Sequence, residues 1–280
     1  MIRLADKSDI KGIISLWNEA FGDSEEDIMF FLNNRFVPEN TLVYESDGVI
    51  ASVLFLLEGD MRIKGRDFSS YYLYAACTLK SHRGRGYMAE MLEASKTVAK
   101  KRNKHFICLL PANKPLYEFY GRFGYKTVFQ KKRYVFSRDE FSNYCCSVTN
   151  NPEIDITHIR DRFHSGNNYF RWNGSAVEFA FEHNKYFGGK QITTRKGYML
   201  YTINEDKCTV KENTFPPDAL YDSLNKIIIE NPECKEIELY TSVSYELPCR
   251  EYEIIDTGML LSISNSVEIN ENAYLGLTLD

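Results

Sequence analysis

Apolar residues in the first forty positions recur at helical spacing. Ile10, Ile13, Ile14, Trp17, Ala20 and Phe21 return every three to four residues, which lays one apolar stripe along a helix. IRLA (2–5) reads as a short strand before it. Asp6 with Asp9 forms a capping-box-like start, and Gly22 marks the stop. Ser24 caps a second short helix with Ile28, Phe31 and Leu32 on one face. The rhythm then changes to strands. TLVYE (41–45) and VIASVLFLLEG (49–59) flank Ser46-Asp47-Gly48, a hairpin signal. The second of these is almost entirely apolar, which predicts a central strand. MRIKGRDFSSYYLYAACTL (61–79) continues as two more strands, turning near Lys64-Gly65-Arg66-Asp67.

SHRGRG (81–86) leads into a helix over about 85–101, with Met88, Met91, Leu92, Ser95, Val98 and Ala99 on one face. Lys96, Lys100, Lys101 and Arg102 load its C-terminal end, where the helix dipole favours cations. HFICLLP (105–111) is a buried strand. KPLYEFYGRF (114–123) is a short helix with Gly124 as its C-terminal cap. TVFQKKRYVF (127–136) supplies a last pair of strands. The first half, 1–137, therefore reads βααβββαβαββ and needs no other partner to close a core. Residues 138–152 lack periodicity and are rich in turn formers, a linker.

The second half, 153–280, repeats the order more weakly. Helices are expected at 154–164 and 174–184, and strands at 197–204 and 208–215. Asp218 caps a helix with Leu220, Leu224, Ile227 and Ile228 inward. A strand at 236–243 follows, and one at 253–264 closes the domain. No Gly-rich loop follows the strand at 208–215; Asn213 to Pro217 stands in that place. The fold class is α/β (α+β): two tandem domains, each a mixed central sheet flanked by helices, the second copy degenerate.

Length and composition agree with this division. A chain of 280 residues suits two domains, and 44% hydrophobic with 19 Tyr and 18 Phe supplies their cores. The net charge of −5 argues against nucleic acid as a partner, because phosphate neutralisation needs a basic face. The seven Cys show no CxxC or zinc spacing, so they read as free thiols in a reducing compartment. The five His are scattered, and no metal is expected. MIRLADKSDI lacks the pattern of a secretory signal, and no run approaches 18 apolar residues. A cytoplasmic protein without membrane contact is the expectation; a homo-oligomer is left open.

The chemistry is concentrated in SHRGRGYM (81–88). A Gly-rich turn between a strand and a helix presents unpaired first-turn amides and the positive end of the helix dipole, and Gly lets the backbone approach a ligand. Arg83 and Arg85 add charge and donors. The loop is neither a Walker A nor a GxGxxG. On these eight residues alone a solvated basic turn competes with an anion cradle.

A second stretch, N113-K-P-L-Y-E-F-Y120-G-R-F-G-Y125, lies one strand later. Together the two resemble the Gcn5-related N-acetyltransferase (GNAT) superfamily. The family's Arg/Gln-x-x-Gly-x-Gly/Ala loop is matched by Arg83-Gly84-Arg85-Gly86-Tyr87-Met88, with Met88 departing at the last position. Its later Asn, Tyr and Gly-Phe/Tyr are matched by Asn113, Tyr120 and Gly124-Tyr125. The resemblance covers about residues 1–137. YGRFGY and the loopless second copy are similar to the GNAT part of the enhanced-intracellular-survival aminoglycoside acetyltransferases. Those carry a further sterol-carrier-like domain, and this chain is too short for one of full size.

The resemblance implies acetyl transfer from acetyl-CoA (coenzyme A) to the primary amine of a small molecule or an exposed amino group. Arg83, Gly84, Arg85, Gly86, Tyr87, Met88 and Ala89 would cradle the diphosphate. Ala76, Cys77 and Thr78 would form a splayed strand edge for the pantetheine arm and the thioester carbonyl. Asn113 would contact that arm or fix the following helix. Tyr120 would be the general acid. No base is evident among the motif residues; in the aminoglycoside-modifying relatives the chain's terminal carboxylate serves, which here would be that of Asp280. Glu45, Glu58 and Asp60 stand beside the strands of the acceptor cleft, where surface charge is the plainer reading. Tyr71, Tyr72 and Tyr74 could present rings to a cationic amine or belong to the core. A non-catalytic acyl-CoA sensor and an acyl or aminoacyl transferase on the same tandem fold are the alternatives.

Overall fold

The structure, a computed structural model, describes residues 1–141, 148, 150, 154–264, 269 and 272–279. The first half contains β1 (Ile2–Leu4), α1 (Ile10–Phe21), α2 (Glu25–Arg35), β2 (Thr41–Ser46), β3 (Val49–Ile63), β4 (Arg66–Thr78), α3 (Tyr87–Lys101), β5 (Phe106–Leu109) and α4 (Lys114–Gly121). Then come β6 (Lys126–Ser137), α5 (Ile156–Phe163), β7 (Tyr169–Arg171), α6 (Gly174–Tyr186), β8 (Lys190–Thr193), β9 (Tyr198–Asn204), β10 (Lys207–Asn213), α7 (Pro217–Glu230), β11 (Glu236–Ser242) and β12 (Glu253–Ser262). The chain divides into two compact units. The first takes in Met1–Met61, Phe68–Thr127 and Gly258–Glu268; the second takes in Arg62–Asp67, Val128–Thr257 and Ile269–Asp280.

Local chemistry explains the boundaries in the first unit. Gly22 ends α1 in the left-handed region, its N–H reaching the Asn18 carbonyl at 2.8 Å. Ser24 and Asp27 form a reciprocal capping box on α2. Asp47 and Gly48, both at positive φ, make the two-residue turn between β2 and β3, as the twist of a hairpin requires. β1, β2 and β3 pair antiparallel, β4 lies beside β3, and β4 pairs parallel with β5. Met259–Ser262 of β12 then runs antiparallel to β5. Leu54, Leu56, Tyr71, Leu73, Met91, Leu92, Ile107 and Leu261 are among the buried side chains of this core. Each contributes roughly 1.5–3 kcal/mol by leaving water.

The second unit repeats the plan. β8, β9 and β10 pair antiparallel, β10 and β11 pair parallel across α7, and β6 runs antiparallel to β11. Its core gathers Tyr134, Phe136, Tyr201, Val210, Leu220, Leu224, Ile227 and Leu239.

Four expectations need correction. The chain from 49 to 63 is one unbroken strand: Glu58-Gly59-Asp60 stays extended, with no turn before Met61. Residues 126–137 form one strand, not a pair, and it pairs with β11. The strand at 253–264 does not simply close the second half: Met259–Ser262 pairs with β5, so 1–137 does not complete its own sheet. Asp218 lies in the first turn of α7 rather than capping it; the N-cap is Pro216, with no side-chain bond.

Candidate active site

The β4–α3 connection is built around two glycines at positive φ, Gly84 at 77° and Gly86 at 84°. Only glycine adopts this region without a Cβ penalty. Gly86 is the N-cap of α3, and no side chain caps the helix there. The first-turn amides of Tyr87, Met88 and Ala89 therefore have no intrahelical acceptor and point toward the positive end of the dipole. A Cβ built on either glycine meets no heavy atom within 4 Å, so the space before the loop is open.

The side chains around the loop brace it. Arg83 Nε donates to the Thr78 carbonyl at 3.1 Å, and Arg85 Nη2 to the Ser81 carbonyl at 3.2 Å. The Tyr87 ring stacks on Tyr44 with centroids 3.9 Å apart, and its hydroxyl meets Ser46 Oγ at 3.1 Å. Tyr87 thus offers a ligand its backbone amide, while its ring fixes the loop to the β2–β3 hairpin. Met88 packs against the core of the unit. The N–H of Lys80 donates to Glu19 Oε1 at 2.6 Å.

The edge beside the loop is irregular. Ala75 sits at φ 47°, a left-handed conformation inside a strand that costs an alanine about 1–2 kcal/mol. The parallel register with β5 runs from Ser70↔Phe106 to Tyr72↔Cys108. Ala76, Cys77 and Thr78 follow the strained residue and lead into the loop. Burial pushes the Cys77 thiol up to about 12, against a smaller downward pull from Arg83.

Asn113 is the N-cap of α4, its side chain accepting the Leu116 N–H at 3.3 Å. Two turns later Tyr120 is buried, edge-on to Phe119 at 5.3 Å and to Tyr125 at 5.7 Å. Burial, with the Cys77 thiol nearby, pushes its phenol up to about 12. Cys77 and Tyr120, 43 positions apart in sequence, lie close enough for their charges to interact. The phenol holds its proton at neutral pH and is a donor there.

The other candidates fare differently. Glu45 accepts from Arg3 Nη2 at 3.1 Å, and Glu58 lies 3.4 Å from Lys104 Nζ. Tyr71 is fully buried, its hydroxyl accepting from Arg102 Nη1 at 3.0 Å. Tyr74 packs on Trp17 and Phe31, at 5.9 and 5.0 Å. These rings form a wall of the core. Asp280 lies outside the described residues. Two features carry little sequence signal: the left-handed backbone at Ala75, which an alanine does not announce, and Ser52, one hydroxyl in the apolar run 49–57.

The corresponding place in the second unit is closed. After β10, Asn213 Oδ1 accepts the Phe215 N–H at 3.0 Å, and the Thr214 N–H donates to the Tyr198 carbonyl at 2.9 Å. Pro216 and Pro217 have no N–H to offer. The amides that the first unit leaves open are here bonded or missing.

Residues 1–128, a little under half of the chain, match the family model described as Acetyltransferase (GNAT) domain. No curated protein matches the sequence. Among solved structures, the chain is similar to a GCN5-related N-acetyltransferase from Anabaena variabilis, with a TM-score of 0.76 and 14% identity over 94% of this chain and 73% of that one.

 The chain is also similar to Eis1 from Mycobacterium abscessus, with a TM-score of 0.68 and 13% identity over 94% of this chain and 74% of that one. A tandem GNAT protein from the clavulanic acid biosynthesis pathway matches with a TM-score of 0.52 and 12% identity, over 95% of this chain and 100% of that one. At these identities the likeness is one of fold, and it takes in both units. Among the described residues no helix is long and apolar enough to cross a membrane.

Proposed function

We propose that the chain is an acetyl-CoA-dependent N-acetyltransferase acting on a primary amine of a small molecule or an exposed amino group. The observation that carries this reading is the open β4–α3 loop, with two positive-φ glycines before an uncapped helix. The residues present fit a diphosphate: main-chain amides at 84–89 to receive its oxygens, and Arg83 and Arg85 to add positive charge. Acetyl-CoA, when bound, supplies the activated acetyl thioester.

The chain's own residues do the rest. Ala76, Cys77 and Thr78 offer a strand edge to the pantetheine arm, and a backbone N–H beside the left-handed Ala75 polarises the thioester carbonyl. Asn113 fixes the start of α4 and so the position of Tyr120. Tyr120 holds a proton in a buried setting and delivers it to the departing thiolate.

The test is an acceptor screen on the full chain with acetyl-CoA, reading released thiol. Small primary amines, polyamines, aminoglycosides and peptides with free amino ends make up the panel. Thiol release that requires both acetyl-CoA and one class of amine is expected. Absence of any acetyl-CoA effect on thermal stability would overturn the reading. Binding without turnover on every amine would replace it with an acyl-CoA sensor.

A further inference from the structure

We infer that Ser52 is a positioning residue for the cofactor edge of β4; this rests on the proposed function. Ser52 lies on β3, fully buried, in a run that is otherwise apolar from Val49 to Leu57. Its Oγ donates to the Cys77 carbonyl at 2.7 Å and lies 2.8 Å from Thr78 Oγ1. A serine hydroxyl has one proton. With that proton on the Cys77 carbonyl, the Thr78 hydroxyl is the donor of the second bond. Ser52 therefore fixes a main-chain carbonyl and a side-chain rotor on consecutive residues of the edge.

The need for such a fastening comes from the backbone at Ala75. At φ 47° this residue is left-handed within β4, two residues before Cys77. Past it, the backbone is held by separate contacts: Leu79 N–H to the Ala51 carbonyl at 3.0 Å, Lys80 N–H to Glu19, and Arg83 Nε to the Thr78 carbonyl. From the buried strand, Ser52 Oγ reaches both Cys77 and Thr78. A buried hydroxyl in an apolar strand costs free energy unless bonded, and here its bonds end on the two residues that lead into the loop.

The division of labour gives a selective test. Adenosine 3′-phosphate 5′-diphosphate engages the loop alone; acetyl-CoA engages the loop and the edge. Ser52→Ala is expected to weaken acetyl-CoA about tenfold, the scale of one lost buried hydrogen bond, and the diphosphate probe less than twofold. Ser52→Thr, which keeps the hydroxyl, is expected to restore acetyl-CoA affinity. Ser52→Cys, near in volume but a weak donor, repeats the test if the alanine variant melts near the assay temperature. Equal loss of both ligands, or loss of neither, overturns the role of Ser52. Failure of the wild-type chain to bind acetyl-CoA overturns the functional reading itself, so the two failures are distinguishable.

Discussion

At Tyr120 the chemistry rests on one hydroxyl in a buried setting. Tyr120→Phe removes the proton and keeps the ring that packs on Phe119 and Tyr125. Steady-state kinetics should show kcat lower by about 10²-fold, the low end for a general acid, with acetyl-CoA affinity nearly unchanged. Unchanged kcat would remove Tyr120 from the acid role. Tyr120 was legible because its spacing from Asn113 and Gly124 follows a family motif. Its neighbour Cys77 was legible only through the expected strand edge, and Ala75 not at all. A left-handed alanine is set by the strands around it, and nothing in its side chain announces that.

Elements carry their own consequences. Asn113→Ala removes the N-cap of α4 and should cost about 1 kcal/mol. Hydrogen exchange should then quicken at 114–118, and kcat should fall because Tyr120 rides the same helix. Faster exchange with unchanged kcat would separate the cap from catalysis. In the second unit His164, at the end of α5, is fully buried between Tyr169 and Tyr274, with ring centroids 4.9 and 4.7 Å away. Burial, with Arg160⁺ adding to it, holds its imidazole well below its usual range near 6.5. The folded state keeps His164 neutral, whereas the unfolded state takes up a proton below about pH 6.5. Stability should therefore be level above that pH and fall as pH drops beneath it, by at most about 1.4 kcal/mol per unit from this group. Denaturant titrations at pH 5, 6 and 7.5 should show a flatter profile for His164→Phe than for the wild type; parallel profiles would contradict this. Helices with an apolar stripe were the elements most legible in sequence, as α1 and α3 illustrate, and the Ser24 cap marked the start of α2. Strand ends were less so. Gly59 suggested a break in β3 that pairing with its neighbours overrides, and no local signal tells which strand β6 or β12 will join.

Across the whole molecule, that exchange of strands matters most. Met259–Ser262 lies beside β5 in the first unit, and β6 lies beside β11 in the second. A chain cut after residue 152 loses the strand on β5 and leaves its edge unpaired. Such a fragment should be insoluble or melt without a cooperative transition, although it holds every residue of the loop; a sharp melt like that of the full chain would contradict this. The tandem order was legible, because each half repeats strand, helix and strand. The exchange was not, because it is decided by pairing between segments about a hundred residues or more apart. One loop is open and its counterpart is closed by Asn213 and two prolines, so the chain should hold one nucleotide. Calorimetric titration of the full chain with acetyl-CoA measures this directly. The account predicts saturable binding in the micromolar range with one molecule per chain; no saturable heat, or two molecules per chain, would contradict it.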